Sequence, residues 1–310
     1  MYSKEKSRRE FLKTSAAIAT GCALSGLRPS TAFATDSSSL FKISLAEWSF
    51  HRALFAGERT QLDFAKTAQE DFGIDVIEYS GHFFKGKAAD KEYLKQLRQR
   101  SDDCGVRSLL ITVDDEGNLG DPDEKVRMQA VDNHRKWMEA GKFLGCESVR
   151  VNAHSDDNLP PAEQATLAAD GVRRLAEFSD SIGMTVLVEN HGGISSDGGW
   201  LATVVEKVGL PNCGTLPDFG NFHLSDGKQY DRYRGVAELM PFAKAVSAKS
   251  HRFDEDGNET ATDYRKMLKI VLDSGFHGYL GIEYEGDQLS EPEGIMATKR
   301  LLEKVREELA

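Results

Sequence analysis

The chain has 310 residues, with 39 Lys and Arg against 50 Asp and Glu, a formal net charge of −11 at neutral pH. That balance repels phosphate backbones and anionic lipid surfaces, so it argues against nucleic acid and membrane-surface partners. The four cysteines, at 22, 104, 146 and 213, are scattered and form no CxxC pair, so neither a disulfide framework nor a zinc knuckle is specified.

In chain order, the first feature is "SRREFLK" at 7–13. Arg8-Arg9 followed by Phe11-Leu12 and Lys13 reads as a twin-arginine export signal. A weakly apolar run to Leu27 and the small-x-small site "AFA" at 32–34 complete it. The run is too short and too rich in Ala, Ser and Thr to span a bilayer. Lipidation at Cys22 is a variant, although "ATGC" is a poor lipobox. The expectation is therefore a signal peptide over 1–34, a partner in the twin-arginine machinery, and a periplasmic or otherwise exported mature chain over 35–310. Residues 1–34 contribute +4, so the mature chain carries −15.

After residue 40 strand-like and helix-like patterns alternate without a linker. The strand candidates are "KISLAEWSF" (42–50), "IDVIEYS" (74–80), "VRSLLITV" (106–113), "ESVRVNAH" (147–154), "MTVLVENH" (184–191), "CGTLPDF" (213–219), "KAVSAKSH" (244–251) and "GYLGIEYE" (278–285). Between them run amphipathic stretches such as 123–145 and 161–183, with apolar residues every three or four positions and a closing Gly. Eight such alternations predict a single (β/α)8 TIM barrel. A doubly wound sheet is the runner-up, but "EWSFHRALFAGE" after the first strand is not a Gly-rich phosphate turn.

In a barrel the C-terminal strand ends carry the chemistry. Here they end in Asn152 and His154, in Glu189 and His191, in Asp218, in Lys249 and His251, and in Glu283 and Glu285. Carboxylates and an imidazole converging on one axis repel one another without a cation. Such an oxygen-rich set suits one divalent metal ion, Mn²⁺, Mg²⁺, Co²⁺ or Zn²⁺. Glu189 is the expected ligand in "VLVENHGG", with Asn190 and His191 behind it or on the substrate.

The sequence resembles the xylose-isomerase-like barrel superfamily, the sugar phosphate isomerase/epimerase group, over 41–308. The resemblance is carried by "GIDVIEYS", "VENHGG", "DFGN" and "GIEYEG", in order and at barrel spacing. It implies a metal held by Glu189, Asp218, a residue in 247–251, and Glu283. Strand seven departs from the family's His-x-Lys-Asp: "SAKS" puts Ser247 where the histidine belongs. Either His251 supplies the fourth ligand, or water does, or Lys249 acts on the substrate directly. Position 221 is Asn where some members carry a substrate-binding His, and His223 is a possible replacement. The implied activity is isomerisation or epimerisation of a free or keto sugar. A proton leaves the carbon beside a carbonyl, and Glu189 and Glu283 remove and return it. Loss of a β-substituent would make it a lyase or dehydratase acting on a keto-sugar, inosose or 3-keto-glycoside.

Trp48 closes strand one and is a candidate for stacking on a sugar ring. His51 and His82 lie in loops at the reactive end, while His277 precedes strand eight at the other end. His134 and Trp137, three apart on a helix, read as packing. Glu78 faces either the barrel or an Arg. Two rival classes remain: the AP endonuclease branch, which needs more histidines and a basic surface, and a non-catalytic sugar-binding barrel. Oligomerisation is compatible with the sequence but not specified by it.

Overall fold

The computed structural model describes residues 40–310 apart from position 226. The export signal, its cleavage site and Cys22 lie outside the described residues. Eight strands follow one another: β1 (Lys42–Ala46), β2 (Val76–Ser80), β3 (Arg107–Thr112), β4 (Ser148–Val151), β5 (Thr185–Glu189), β6 (Cys213–Leu216), β7 (Val246–Ser250) and β8 (Tyr279–Tyr284). All are parallel, and the hydrogen-bonded order is β6-β5-β4-β3-β2-β1-β8-β7. The two edges meet through backbone bonds beyond the ladder. Lys244 N donates to Thr215 O (3.1 Å), Ser247 N to Pro217 O (2.9 Å), and Phe219 N to Ser247 O (3.1 Å). The sheet is thereby a near-closed (β/α)8 barrel.

The helices are α1 (His51–Ala56), α2 (Phe64–Phe72), α3 (Lys91–Asp103), α4 (Glu124–Leu144), α5 (Pro161–Ser181), α6 (Gly198–Val208), α7 (Arg232–Leu239), α8 (Tyr264–Asp273) and α9 (Glu291–Leu309). Their starts are written in the sequence. Asp123 accepts from Lys125 N (2.8 Å) at the head of α4, and Ser290 and Glu293 form a reciprocal capping box on α9. The predicted Gly145 stop holds, with φ of 84°. The predicted Gly183 stop holds too: α5 ends at Ser181, and Gly183, at φ 67°, follows the C-cap Ile182, with Met184 N donating back to Ser179 O (2.9 Å).

Alternation sorts the side chains. Val186 and Val188 pack outward beneath the helices, while Leu187 joins Val76, Leu110, Leu216 and Ala245 inside the barrel. That apolar plug fills the lower barrel and leaves the C-terminal end polar. The expected strand ends are corrected too. The ladder stops at Ala46, Val151, Glu189 and Leu216, so Trp48, His154, His191 and Asp218 lie just past it. After β1 the chain turns at once into a 3₁₀ segment, Glu47–Phe50. Among the described residues no helix is long and apolar enough to cross a membrane. Cys104, Cys146 and Cys213 are free thiols.

Candidate active site

Three strand ends bring carboxylates together. Glu189, Asp218 and Glu283 each offer an oxygen, and these atoms all lie within 4.8 Å of one another. Each is held by its own neighbours. Asp218 Oδ1 accepts from Gly220 N (2.7 Å) and Asn221 N (2.8 Å). Asn190, fully buried, clamps β5 to this turn: its amide accepts from Asp218 N (2.8 Å) and donates to Asp218 O (3.0 Å). Ser247 donates to Glu283 Oε2 (2.8 Å). Asn221 donates to Glu189 Oε1 (3.2 Å) and accepts from Lys249 Nζ (3.1 Å).

Two buried cations belong to the cluster. Lys249 Nζ lies 3.2 Å from Glu283, 3.4 Å from Glu285 and 3.7 Å from Asp218. Its stem passes over Gly220, where a Cβ would stand 2.9 Å from Lys249 Cδ, so this position of "DFGN" has no room for a side chain. Arg150 reaches in from β4. Its Nε lies 2.5 Å from Glu189 Oε2, a close ion pair without hydrogen-bond alignment, and it also pairs with Asp114.

Electrostatics follow from burial. Desolvation pushes Glu189 well above the ordinary carboxylate value despite Arg150, and pushes Asp218 up to about 6 despite Lys249. Burial would raise Glu283 as well, but Lys249, the Ser247 hydroxyl and Arg150 together hold it below its usual value. Burial opposes the Lys249 charge, yet Asp218, Glu283, Glu285 and Glu189 hold the ammonium firmly protonated.

The donor set fits a divalent cation. Asp218 Oδ2 is buried without a hydrogen-bond partner, within reach of the two other carboxylates. Five clustered carboxylates (Asp114, Glu189, Asp218, Glu283 and Glu285) face two fixed cations, leaving an excess of negative charge. Hard oxygen ligands of this kind suit Mg²⁺ or Mn²⁺, and Zn²⁺ accepts them too.

Of the cluster, Glu283 lines a cavity of about 290 Å³. Its wall includes Trp48, Glu78, His82, Asp114, Arg150 and His191, and its floor reaches Glu283 and Glu285. Trp48 Nε1 donates to Glu285, tying the aromatic wall to the Lys249 network. Burial and Arg150 lower His191 to about 4, so the ring is a neutral hydrogen-bonding group at pH 7.

Other anticipated residues fall elsewhere. His251, half exposed, has Nε2 3.8 Å from Glu285 and is not among the three clustered ligands. It follows the end of β7, where strand alternation no longer aims the side chain inward. His223 is exposed on the loop after β6, where Ser196 Oγ donates to its backbone carbonyl (2.9 Å). His154 is half-buried three residues past β4 and does not line the cavity. His134 and Trp137 are buried in α4, as their spacing implied. Glu78 faces the barrel interior: Ser44 Oγ donates to it (2.5 Å), and burial lifts it to about 7.

Arg150 and Asp114 were not anticipated. A signal existed for the arginine, a charged residue in the middle of the apolar run "SVRV". For Asp114 there was none, since "VDDE" reads as an ordinary loop start.

Comparison with known proteins agrees with this geometry. The xylose isomerase-like TIM barrel family matches residues 66–305, and the chain belongs to that family. A curated relative, the 3'-dehydrocarminate deglycosidase alpha subunit of Microbacterium sp, is 20% identical over 288 residues, covering 69% of this chain and 78% of its own. The solved 3-keto-D-glucoside 4-epimerase YcjR of E. coli superposes with a TM-score of 0.65 at 14% identity, covering 85% of this chain and 99% of that one. The IOLI protein with a bound zinc atom superposes with a TM-score of 0.66 at 16% identity, covering 86% and 99%.

Proposed function

We propose that the protein is a divalent-metal-dependent enzyme that removes a proton beside the carbonyl of a free or keto sugar, and returns it as an isomerase or epimerase. The observation that carries this is the triad Glu189, Asp218 and Glu283, with ligand atoms within 4.8 Å and Glu283 lining a cavity of sugar size. A bound divalent ion would draw electrons from the carbonyl and so acidify the neighbouring C–H.

This chain's residues supply the rest. Glu189 and Glu283 approach from different walls, β5 and β8, and present carboxylates to two faces of a sugar between them. One takes the carbon-bound proton, and the electron pair moves toward the carbonyl oxygen. The Lys249 ammonium, fixed by Glu283, Glu285 and Asn221, faces the charge that develops there. Return of the proton to the neighbouring carbon isomerises the sugar; return to the opposite face epimerises it. Neutral His191 and the Asp114–Arg150 pair are placed to bind hydroxyls. A second reading, β-elimination, is favoured by the similarity to a deglycosidase subunit. The same proton removal expels a group one carbon further on.

The test begins with metal. Purified protein should hold about one divalent ion, and Asp218→Ala should lose it. Metal content unchanged by that substitution would remove the basis of the reading. Metal-loaded protein should exchange substrate C–H with deuterated solvent when offered keto-sugars and glycosides. Binding without exchange would favour the non-catalytic sugar-binding barrel.

Export is part of the same proposal and rests on Arg8-Arg9 and the "AFA" site. Arg8-Arg9→Lys-Lys should leave the precursor in the cytoplasm, because the signal is read through the arginine pair. Fractionation with immunoblotting checks it; normal delivery of the variant refutes it.

A further inference from the structure

The mouth of the cavity is aromatic on one side and carries its aromatic character out to the surface. Among the described residues just two large apolar side chains are exposed, Phe55 and Val126. Phe55, 62% exposed, is not isolated. Its ring stands edge-on to Trp48 (5.9 Å, 87°) and to buried Phe83 (5.2 Å, 61°). Trp48 also stacks with His51 (5.2 Å, 16°) and Phe83 (5.9 Å, 29°) and meets His82 at 5.1 Å. Trp48 and His82 line the cavity itself, so the platform is continuous with the sugar pocket rather than beside it.

We propose that Phe55 and Trp48 form an outer subsite for a planar aromatic group joined to the sugar, so that the substrates are aryl glycosides whose sugar ring carries the keto group. This rests on the sugar-pocket reading above and narrows its substrate class. Two features support it. The platform is held in place before any ligand arrives: Trp48 is anchored through Nε1 to Glu285, and Phe83 packs against both rings. A preformed flat apolar surface of this kind suits a flat apolar group at low ordering cost. The cavity, at about 290 Å³, is at the small end for a ligand site, so a bulky substituent on the sugar must extend past the rim.

The experiment measures binding of matched phenyl, methyl and disaccharide β-glycosides of several hexoses and pentoses, each with a keto group on its sugar ring, to the metal-loaded protein by calorimetry. Phenyl glycosides should bind about tenfold more tightly than their methyl partners, the size of one good aromatic contact. Phe55→Ser should abolish that advantage, and Phe55→Tyr, which keeps a ring, should preserve it. Equal affinity for phenyl and methyl glycosides in the parent overturns the subsite and leaves the sugar pocket standing. So does an equal gain from the disaccharides. If no glycoside in the series binds, the sugar-pocket reading itself falls, and the subsite with it. If Phe55→Ser instead turns a dimer into a monomer in sedimentation, a second copy of the chain covers the platform and the proposal is overturned.

Discussion

Asn221 bridges the two halves of the cluster, donating to Glu189 and accepting from Lys249. Its position was legible from "DFGN", but its partners were not, because partners depend on how β5 and β7 face each other across the barrel. Glu189, Asp218, Glu283 and Lys249 were readable for a simple reason. Each sits on or just beyond a strand whose alternation fixes the inward face. His251 and His223 stand past that control, where the loop backbone sets the direction, and neither joins the carboxylate cluster. Arg150 and Asp114 escaped because an internal ion pair leaves no periodic trace. The residue-level test concerns Glu189 and Glu283 as the proton-transfer pair. Gln keeps their shape and removes their basicity. Metal affinity also suffers, so the assay needs saturating metal with occupancy measured. Under those conditions each variant should lose roughly 10²–10⁴-fold in substrate C–H exchange, the usual worth of general acid–base catalysis. Exchange at the parent rate in both loaded variants would assign the proton transfer elsewhere, with the neutral His191 ring an alternative base.

At the scale of elements, existence and order came from periodicity, while boundaries did not. "EWSF" continues the apolar pattern of β1, yet the chain turns into a 3₁₀ segment there. Both neighbours run on past their last pairs with β1, β2 to Ser80 and β8 to Tyr284, so the turn belongs to β1 itself and is not visible in its apolar pattern. Packing between strands has the same character. Gly281 in β8 faces the Glu78 carboxyl of β2 across the interior. A Cβ at 281 would lie 2.4 Å from Glu78 Oε1 and 2.8 Å from its Cδ. That glycine therefore makes room for a charge-bearing side chain inside the barrel. Gly281→Ala should destabilise the fold by about 1–3 kcal/mol through overpacking. The loss should shrink when Glu78→Ala is already present, because the clash is then gone. Urea unfolding of the two single variants and the double variant measures the coupling. Strict additivity would show that the glycine serves the backbone and not Glu78.

The whole molecule closes where no sequence pattern announces it, through bonds from Thr215, Pro217 and Ser247 that join β6 to β7. Eight alternations made closure the economical inference, since a barrel leaves no exposed edge. What the alternation could not reveal is how many acids the closed barrel buries. Glu47, just past β1, is wholly buried. Its Oε2 accepts from Gln61 Nε2 (2.9 Å) and Ser80 N (3.0 Å), and its Oε1 has no partner. Burial raises it from 4.5 to about 8, against the lowering effect of those two donors. The folded protein therefore holds this proton after the unfolded chain has released it. Below about pH 4.5 both states are protonated, and the contribution of the protonated form to stability is complete. As pH rises from there toward 8 the unfolded chain binds fewer protons, so stability falls; above about 8 both states are ionised and the loss is complete. At about 1.4 kcal/mol per unit, the term amounts to a few kcal/mol across the window. Glu47→Gln cannot ionise and keeps an acceptor for Gln61 and Ser80. The parent should lose stability between pH 5 and pH 8 by a few kcal/mol more than the variant does, in urea unfolding at matched metal content. Other titrating groups are common to both proteins and cancel in the difference. Parallel stability curves would mean that Glu47 ionises as an ordinary carboxylate, and that its burial is relieved by motion of the segment after β1.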